Sequence, residues 1–504
     1  MDAGHMDAVL KAFQIVFSAN VLGVIALASL LGILIGAMPG LTAVMGTALL
    51  VPFTFFMEPV PAIAAIVALS AMAIFAGDIP AALVRIPGTP ASAAYADECY
   101  KLTQRGEPWR GLGICLSTSV IGGIFGTIVL ILAAPTLARF ATAFSTPEYF
   151  WLGVLGLTCA AFLASGAPIK ALISLCLGLF LSTIGIDVGT GQPRFTFGSM
   201  ELTGGIDLIP VLVGFFAIPE LIRQMAQRDA PLPAVPPYTS IFRGMLADLW
   251  HYRIQIFRGN VSGTLIGALP GAGADIAAWV SYATSRRLSK QPEKFGTGHL
   301  EGVAEAGAAN NSALAGAWVP TLVFGIPGDS ITAIVIGVLY LKGMEPGPAI
   351  FLKTPELVYA VFIVFILANL LMLPLGWAVI RASRHILKVP RRVLVPIILM
   401  ACMVGAYAIQ NSLFDVGVML SMGLLGYVME ENDIPVAPAI LALVLGKVIE
   451  FNLVTTLIKS DGNWLWLVNR PIAAGLALVT VAIWAATLYA LLKRPAAPRV
   501  ETSR

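Results

Sequence analysis

The sequence is poor in charged residues and in histidine, and both shortages limit what the protein can be. Only 12% of its 504 residues are Asp, Glu, Lys or Arg, whereas a soluble domain usually contains about a quarter. The four histidines fall in predicted loops or termini, and no HExxH, GxSxG or nucleotide-binding GK[ST] motif occurs. The composition therefore excludes an ordinary soluble protein, and the motifs offer no hydrolase, zinc-enzyme or ATPase site.

Cysteine and net charge are also low. The five cysteines lie mostly inside apolar runs and form no CxxC pair, so neither a disulfide framework nor a metal centre built from cysteine is expected. The net charge of +3 is small, its placement matters more than its size, and no nucleic-acid partner is expected. No cofactor is predicted.

The chain is instead rich in hydrophobic residues, which make up 58% of it, with a mean hydropathy of +0.86. Apolar runs long enough to cross a bilayer, about 20 residues each, follow one another along the sequence. They predict an all-α polytopic protein embedded in a lipid bilayer, with about eleven or twelve crossings and two further hairpins that enter the membrane and return.

Two interrupted segments occur twice. The run GILIGAMPGLTA from Gly32 returns as GTLIGALPGAGA from Gly263, with eight identities in twelve positions and an offset of 231 residues. The run PAALVRIPGT from Pro80 matches PTLVFGIPGD from Pro320, with an offset of 240 residues. The chain is therefore predicted to contain two structural repeats, each with a re-entrant helical hairpin and a broken helix.

Each interruption is a Pro-Gly pair inside a run of residues that is as hydrophobic as a membrane-spanning helix. Proline removes a backbone donor and glycine permits a reversal, and such backbone is tolerated in a membrane only where protein or a watery cavity surrounds it. Matching interruptions in two halves indicate the substrate site of a transporter. The predicted substrate-binding residues are Pro39, Gly40, Thr42, Arg85, Pro87, Gly88, Thr89, Pro270, Gly271, Gly273, Asn310, Asn311, Pro327, Gly328, Asp329 and Ser330.

Basic residues predict the orientation. Arginines after residue 222 and again at 381–392 place these loops in the cytoplasm. Residues 12–84 contain no Lys or Arg, whereas basic residues flank the second hairpin, so the two hairpins are expected to open from opposite sides. The predicted organisation is an inverted pair of repeats, 1–222 and 260–493, a cytoplasmic linker 223–259 with an amphipathic helix at 241–258, and a cytoplasmic tail 494–504.

Polar residues inside apolar segments mark functional positions, because burying them in a membrane is costly. Asp275 follows the second hairpin tip and, with Asn310, Asn311 and Ser312, offers oxygen ligands for a sodium ion. The alternatives are a helix cap for Asp275 and helix packing for the asparagines. Arg85 could meet a substrate carboxylate, or instead reach the membrane surface or pair with Asp78.

Two other functions are compatible with the same residues. An intramembrane enzyme would use Asp275 and Asp329 as a carboxylate pair, and a passive anion channel would use the helix ends without gates. Hairpins that open from two sides argue against the channel.

Four blocks of sequence resemble the TctA family, the large membrane subunit of tripartite tricarboxylate transporters. They are GAMPGLTA, RIPGTPASAA, the long stretch that begins at Gly263 and ends near Gly337, and VGAYAIQNSLFDVGVML from Val404. In the first repeat, the pattern of the family it resembles is Asn-Ile-Pro-Gly with a following Asp-Gly. This chain differs there, with Arg85-Ile-Pro-Gly and Asp97-Glu98.

The resemblance implies uptake of a carboxylate across the bacterial inner membrane, driven by a sodium or proton gradient. It also implies a small four-helix TctB-like membrane subunit and a periplasmic TctC-like solute-binding protein as partners. A homodimer is a further expectation.

Overall fold

A computed structural model describes residues 3–38, 41–162, 168–187, 189–226, 238, 240–386 and 391–493. In these ranges the chain is almost entirely helical, and the one β-pair joins Gly185–Ile186 to Pro193–Arg194. The helices of the first half are α1 (Ala3–Val16), α2 (Ala19–Ala37), α3 (Ala43–Thr54), α4 (Pro59–Ala76), α5 (Asp78–Val84), α6 (Pro90–Ala93), α7 (Ala96–Gln104), α8 (Pro108–Ala141), α9 (Thr146–Phe162), α10 (Pro168–Ser182) and α11 (Leu208–Ala226).

The second half continues with α12 (Met245–His251), α13 (Arg253–Gly267), α14 (Gly273–Leu288), α15 (Leu300–Phe324), α16 (Ser330–Leu341), α17 (Ile350–Lys353), α18 (Pro355–Ile386), α19 (Arg391–Gln410), α20 (Leu413–Glu431), α21 (Ala437–Lys459) and α22 (Pro471–Lys493). Short 3₁₀ turns lie at Glu201–Gly204, Pro292–Lys294 and Trp464–Leu467.

Eight segments among the described residues are long and apolar enough to cross a membrane. They are α2, α4 continued by α5, α8, α11, α18, α20, α21 and α22. Four shorter apolar helices lie in α3, α10, α16 and the later part of α19. The predicted all-α, multi-pass membrane protein is thus confirmed, while the number of crossings stays a prediction.

Two helices form the centre of the molecule. The span Pro59–Val84, made by α4 and α5, is buried along its apolar window, and every residue of α15 from Leu300 to Val323 is buried. These helices carry the first and second copies of the repeated Pro-to-Ile-Pro-Gly segment. The helical part of this segment therefore lies in the core in both copies.

The two copies pack in the same way. Gly36 of α2 lies so close to α4 that an added Cβ would come within 2.2 Å of the Ala73 carbonyl oxygen, and Gly267 of α13 has the same 2.2 Å relation to Ala313 of α15. Ala73 and Ala313 are 240 positions apart, the offset of the second sequence pair. Small residues allow this backbone contact between membrane helices.

The copies also end in the same way. Ile86 N–H donates to the Pro80 carbonyl at 3.4 Å, and Ile326 N–H donates to the Pro320 carbonyl at 3.3 Å. The residue before each isoleucine is left-handed, with φ 60° at Arg85 and φ 69° at Gly325. Each copy therefore ends with a left-handed residue at the same place, a common helix stop, and with the same hydrogen bond that spans six residues.

The linker differs from expectation in one respect. The amphipathic helix predicted for 241–258 is divided, because the helical turn relaxes at Tyr252, whose ψ is 17°. The seven-residue α12 lies before this point, and the residues after it begin α13, the first arm of the second hairpin.

Candidate functional site

A cavity of about 510 Å³ lies where the interrupted segments of the two copies meet. Its wall includes residues from all four interruptions: Thr42, Thr89, Gly271 to Asp275, and Asp329 with Ser330. Pro39 and Gly40 of the first hairpin tip lie outside the described residues. Positions predicted separately from two sequence pairs thus come together in one place.

Among the helices that begin at this cavity, three follow one of the interruptions and have at least 12 residues. The α3 helix starts after Thr42, whose hydroxyl accepts a hydrogen bond from Met45 N–H at 3.1 Å. The α16 helix starts after Asp329, which forms a capping box with Thr332, and α14 starts at Gly273. Helix N-termini carry free N–H groups and a positive dipole end, so the cavity is suited to an anion.

The second hairpin tip is held against the second broken helix. Gly271 N–H donates to the Gly328 carbonyl at 2.8 Å. Gly271 has φ 81°, and an added Cβ would lie 2.6 Å from the Ala160 Cα of α9. Only glycine combines this left-handed conformation with so close an approach, which explains the Pro-Gly pair at this tip.

Asp275 lies in the first turn of α14 and faces the cavity. It does not cap the helix, because α14 begins two residues earlier and its cap position is Ala272. The carboxylate lies beside Asp329 and within hydrogen-bonding reach of the Ala91 backbone. Trp279 of the same helix donates its indole N–H to the Pro90 carbonyl at 3.2 Å. The second hairpin therefore contacts the segment that follows the break in the first copy.

Arg85 lies away from the cavity wall. Its guanidinium pairs with Asp97 at 2.8 Å, and both side chains are more than half exposed. The suggested pairing with Asp78 is wrong, because Asp78 is buried and Tyr95 donates to it instead. Arg85 and Asp97, two positions where this chain departs from the family pattern, therefore contact each other.

Asn310, Asn311 and Ser312 are buried in α15 and do not line the cavity. Asn310 donates to the Tyr95 hydroxyl at 3.4 Å, and Asn311 points to the Met372 sulfur at 3.5 Å. Ser312 donates to its own helix at Ala309. The sodium site that joins these residues to Asp275 is not assembled in this conformation and stays a prediction.

Sequence reasoning missed two features near the cavity. Arg223 was assigned only to the predicted linker, but it lies in the last turn of α11. It is the one Lys or Arg among the described lining residues, and it pairs with Glu430 at 2.7 Å and Glu220 at 3.6 Å. The other is the buried cluster of Asp78 and Tyr95. The available signal for Asp78 was its position as the first carboxylate after a long apolar run, the criterion that selected Asp275.

A family model described as "Tripartite tricarboxylate transporter TctA family" matches residues 22–441. The chain belongs to the TctA family. This TctA chain is similar to an Agrobacterium vitis protein called "Uncharacterized 52.8 kDa protein in TAR-I ttuC' 3'region". The two are 35% identical over 459 residues, and the aligned region covers 90% of the chain and 91% of the relative. A second protein of that organism, "Uncharacterized protein in TAR-II ttuC' 3'region", is 37% identical over 222 residues, 44% of the chain and 92% of the relative. No solved structure matches the TctA chain.

The family confirms the resemblance drawn from the four sequence blocks. TctA proteins are transporters and not enzymes, which excludes the alternative of an intramembrane enzyme. They belong to tripartite systems, which generally also contain a TctB and a TctC component.

Proposed function

We propose that this TctA chain is the large subunit of a secondary active system that takes up a carboxylate, tricarboxylate-like in chemistry, across the bacterial inner membrane. The observation that carries the proposal is the convergence of the α3, α14 and α16 N-termini on one cavity. A volume of about 510 Å³ falls in the range of small-molecule sites, roughly 300–1,000 Å³. A small polycarboxylate is an anion of that size.

The position of the cavity supports transport. The α3 and α16 helices each have 12 residues, a length of about 18 Å, or roughly half of a 30 Å hydrocarbon core. Both start at the cavity, and Lys342 beyond α16 donates to the carbonyls of Phe55 and Met57 beyond α3. Both half-length helices therefore extend from the cavity toward the same side, which supports a cavity that their length separates from that membrane surface.

Charge in the cavity supports coupling to an ion. Asp275, Asp329, Glu220 and Glu430 line it, against Arg223 as the single described cation. An anionic substrate would be repelled by this excess of carboxylates unless sodium ions or protons entered with it. Ion and substrate would then strengthen each other's binding equally, which favours a symporter over a passive channel.

The proposal includes an inverted arrangement of the two copies and alternating access from the two sides. The equivalent contacts of Gly36 and Gly267 support the duplication, and the arginine distribution supports the inversion. A periplasmic TctC-like protein would deliver the substrate and a TctB-like four-helix subunit would complete the assembly. Mass measurement of the purified complex would also test the predicted homodimer.

Cysteine protection tests the proposed cavity. The variants Thr42→Cys and Ser330→Cys, on a background where the exposed Cys176 is replaced by serine, are labelled with a polar maleimide. Citrate or tartrate is expected to slow labelling at both sites. Thr297→Cys, exposed in a loop, is the matched control whose labelling stays constant. Equal labelling of Thr42→Cys and Ser330→Cys with and without both carboxylates would contradict the proposal.

The coupling role of Asp275 has its own test. Asp275→Asn is expected to weaken the dependence of uptake on sodium or pH more than it lowers the amount of folded protein. Unchanged dependence on both ions would leave Asp275 a structural residue.

A further inference from the structure

Asp78 is a carboxylate buried in the protein interior without a counter-ion. It lies at the start of α5 and is 0% exposed. No described Lys, Arg or His forms an ion pair with it, and its Oδ2 atom has no well-formed hydrogen bond, although Ser92 and Cys115 lie within reach of the carboxyl group. An unpaired charge at such a place is very costly. The group must therefore hold either a proton or a metal cation for much of its working cycle.

Neutral polar groups surround this carboxyl group. Tyr95 donates its hydroxyl to Asp78 Oδ1 at 2.7 Å, and Asn310 from α15 donates to Tyr95 at 3.4 Å. Ser92 of α6 and Cys115 of α8 lie beside the carboxyl group, and Cys99 of α7 lies behind Cys115 at 3.7 Å. The titratable groups that face Asp78 are thus Tyr95 and Cys115, and neither is a cation.

This set of neighbours favours a proton over sodium. A hard cation needs several oxygen ligands in one shell, and a thiol is a poor partner for it. Asp78 supplies one carboxylate, and its polar neighbours are two hydroxyl groups and a thiol. A proton on Oδ2 removes the buried charge without any further ligand.

A short series of hydroxyl groups connects Asp78 to the cavity. Thr89 lines the cavity, and its hydroxyl lies 2.5 Å from that of Ser92, which lies beside Asp78. The backbone is connected as well, because Gly88 N–H donates to the carbonyl of Gly77 at 3.0 Å. The residue before Asp78 thus holds the end of the Ile-Pro-Gly break, directly before the cavity residue Thr89.

We propose that Asp78 carries the proton that enters with the carboxylate substrate, with Ser92 and Thr89 as its connection to the cavity. The inference rests on the proposed function and names the proton as the coupling ion and Asp78 as its carrier, while the Asp275 charge in the cavity wall sets how strongly substrate binding depends on that proton. The proton is taken from the periplasmic side, held on the Asp78 carboxyl group while substrate occupies the cavity, and released to the cytoplasm. No other reactant is needed.

Infrared spectroscopy tests the proton site without any substrate. The full chain in lipid nanodiscs is expected to show a band of a buried carboxylic acid that disappears as pH rises. Asp78→Asn abolishes this band. Asp415→Asn, which removes another buried carboxylate with an unpaired oxygen on α20, leaves the titration of the Asp78 band in place. A band unchanged in Asp78→Asn overturns the inference even if the cavity binds carboxylates.

Citrate and tartrate binding to the same samples tests coupling. With one linked proton, wild-type affinity falls roughly tenfold per pH unit above the midpoint of the titration, while Asp78→Asn binds independently of pH. A pH dependence retained in Asp78→Asn, or wild-type binding that responds to sodium and not to pH, refutes the proposal. Failure of wild type to bind either acid at any pH refutes the proposed function instead, and the infrared result still decides whether Asp78 holds a proton.

Tyr95→Phe covers the case in which Asp78→Asn does not fold. It removes the hydroxyl that stabilises the charged carboxylate, so the midpoints of the infrared band and of substrate binding both move to higher pH. Midpoints that stay in place would overturn the assignment.

Discussion

Glu98 joins the first copy to a loop of the second, and its replacement by glutamine gives a sharp test of the structure. The carboxylate is completely buried on α7. One oxygen accepts from Gly296 N–H and the Tyr282 hydroxyl, and the other accepts from Gly298 and His299 N–H at 2.6 and 2.8 Å. Four donors thus meet one side chain, and they all come from the segment around α14 and α15.

Glu98→Gln keeps the shape of the side chain but turns one acceptor oxygen into a donor. The NH₂ group can turn toward the Tyr282 hydroxyl, which can accept from it, so the Gly296 N–H loses its acceptor and the Gly298 and His299 N–H groups are left with a neutral one. A hydrogen bond to a charged group contributes about 1.5–3 kcal/mol and one to a neutral group about 0.5–1.5 kcal/mol, so the free energy of opening the loop is expected to fall by about 3 kcal/mol. Since 1.4 kcal/mol is a factor of ten, the opened state becomes roughly 100-fold more populated.

Hydrogen exchange with mass spectrometry measures this opening. Peptides covering 295–300 of Glu98→Gln in nanodiscs are expected to exchange roughly 100-fold faster than in the wild type. The neighbour supplies a control: Asp97→Asn breaks only an exposed pair, which contributes about 0–1 kcal/mol. If the two variants exchange alike in this peptide, Glu98 does not hold the loop and the reasoning is refuted.

Three further predictions follow from single contacts. Arg85→Gly is expected to keep or raise thermal stability. Relief of the left-handed φ stabilises by about 1 kcal/mol, which offsets the loss of the exposed ion pair with Asp97. A fall of more than about 2 kcal/mol in the free energy of unfolding, measured by denaturation, would contradict it. Gly88→Ala places a Cβ 2.2 Å from a backbone oxygen and is expected to lower the melting temperature. The control Gly23→Ala has open space around it and raises helix propensity by up to about 1 kcal/mol. Equal melting temperatures of the two variants would count against the close packing at Gly88. Impermeant labelling of single cysteines is expected to place Met57 in the periplasm and Arg243 in the cytoplasm, and labelling from one side at both positions would remove the argument for inversion.

The duplicated Pro-Gly segments were readable from sequence because proline and glycine act locally on the backbone. They led directly to the cavity residues Thr42, Gly271, Asp275 and Asp329, and the composition alone gave the membrane-embedded helical class. Contacts between distant segments were not readable. The partner of Arg85 depends on how α7 folds back over α5, and the direction in which Asn310 and Asn311 point depends on the neighbours of α15.

The same limit explains Asp78. Its isolation from every described cation is a property of the packed interior, since Arg85 is only seven positions away along the chain yet turns outward to Asp97. A sequence pattern gives the spacing of two charges but not the side of the backbone on which each lies. The left-handed conformation of Arg85 decides that side here.

The shared cavity wall also affects how the protein can change during evolution or in the laboratory. Because Thr89 comes from one half and Asp329 from the other, neither half holds the complete wall of the proposed binding cavity. A chain cut in the linker and produced as two polypeptides would have to reassemble before any ligand could be recognised. Substrate preference is then a joint property, and altering it calls for paired substitutions chosen across both halves.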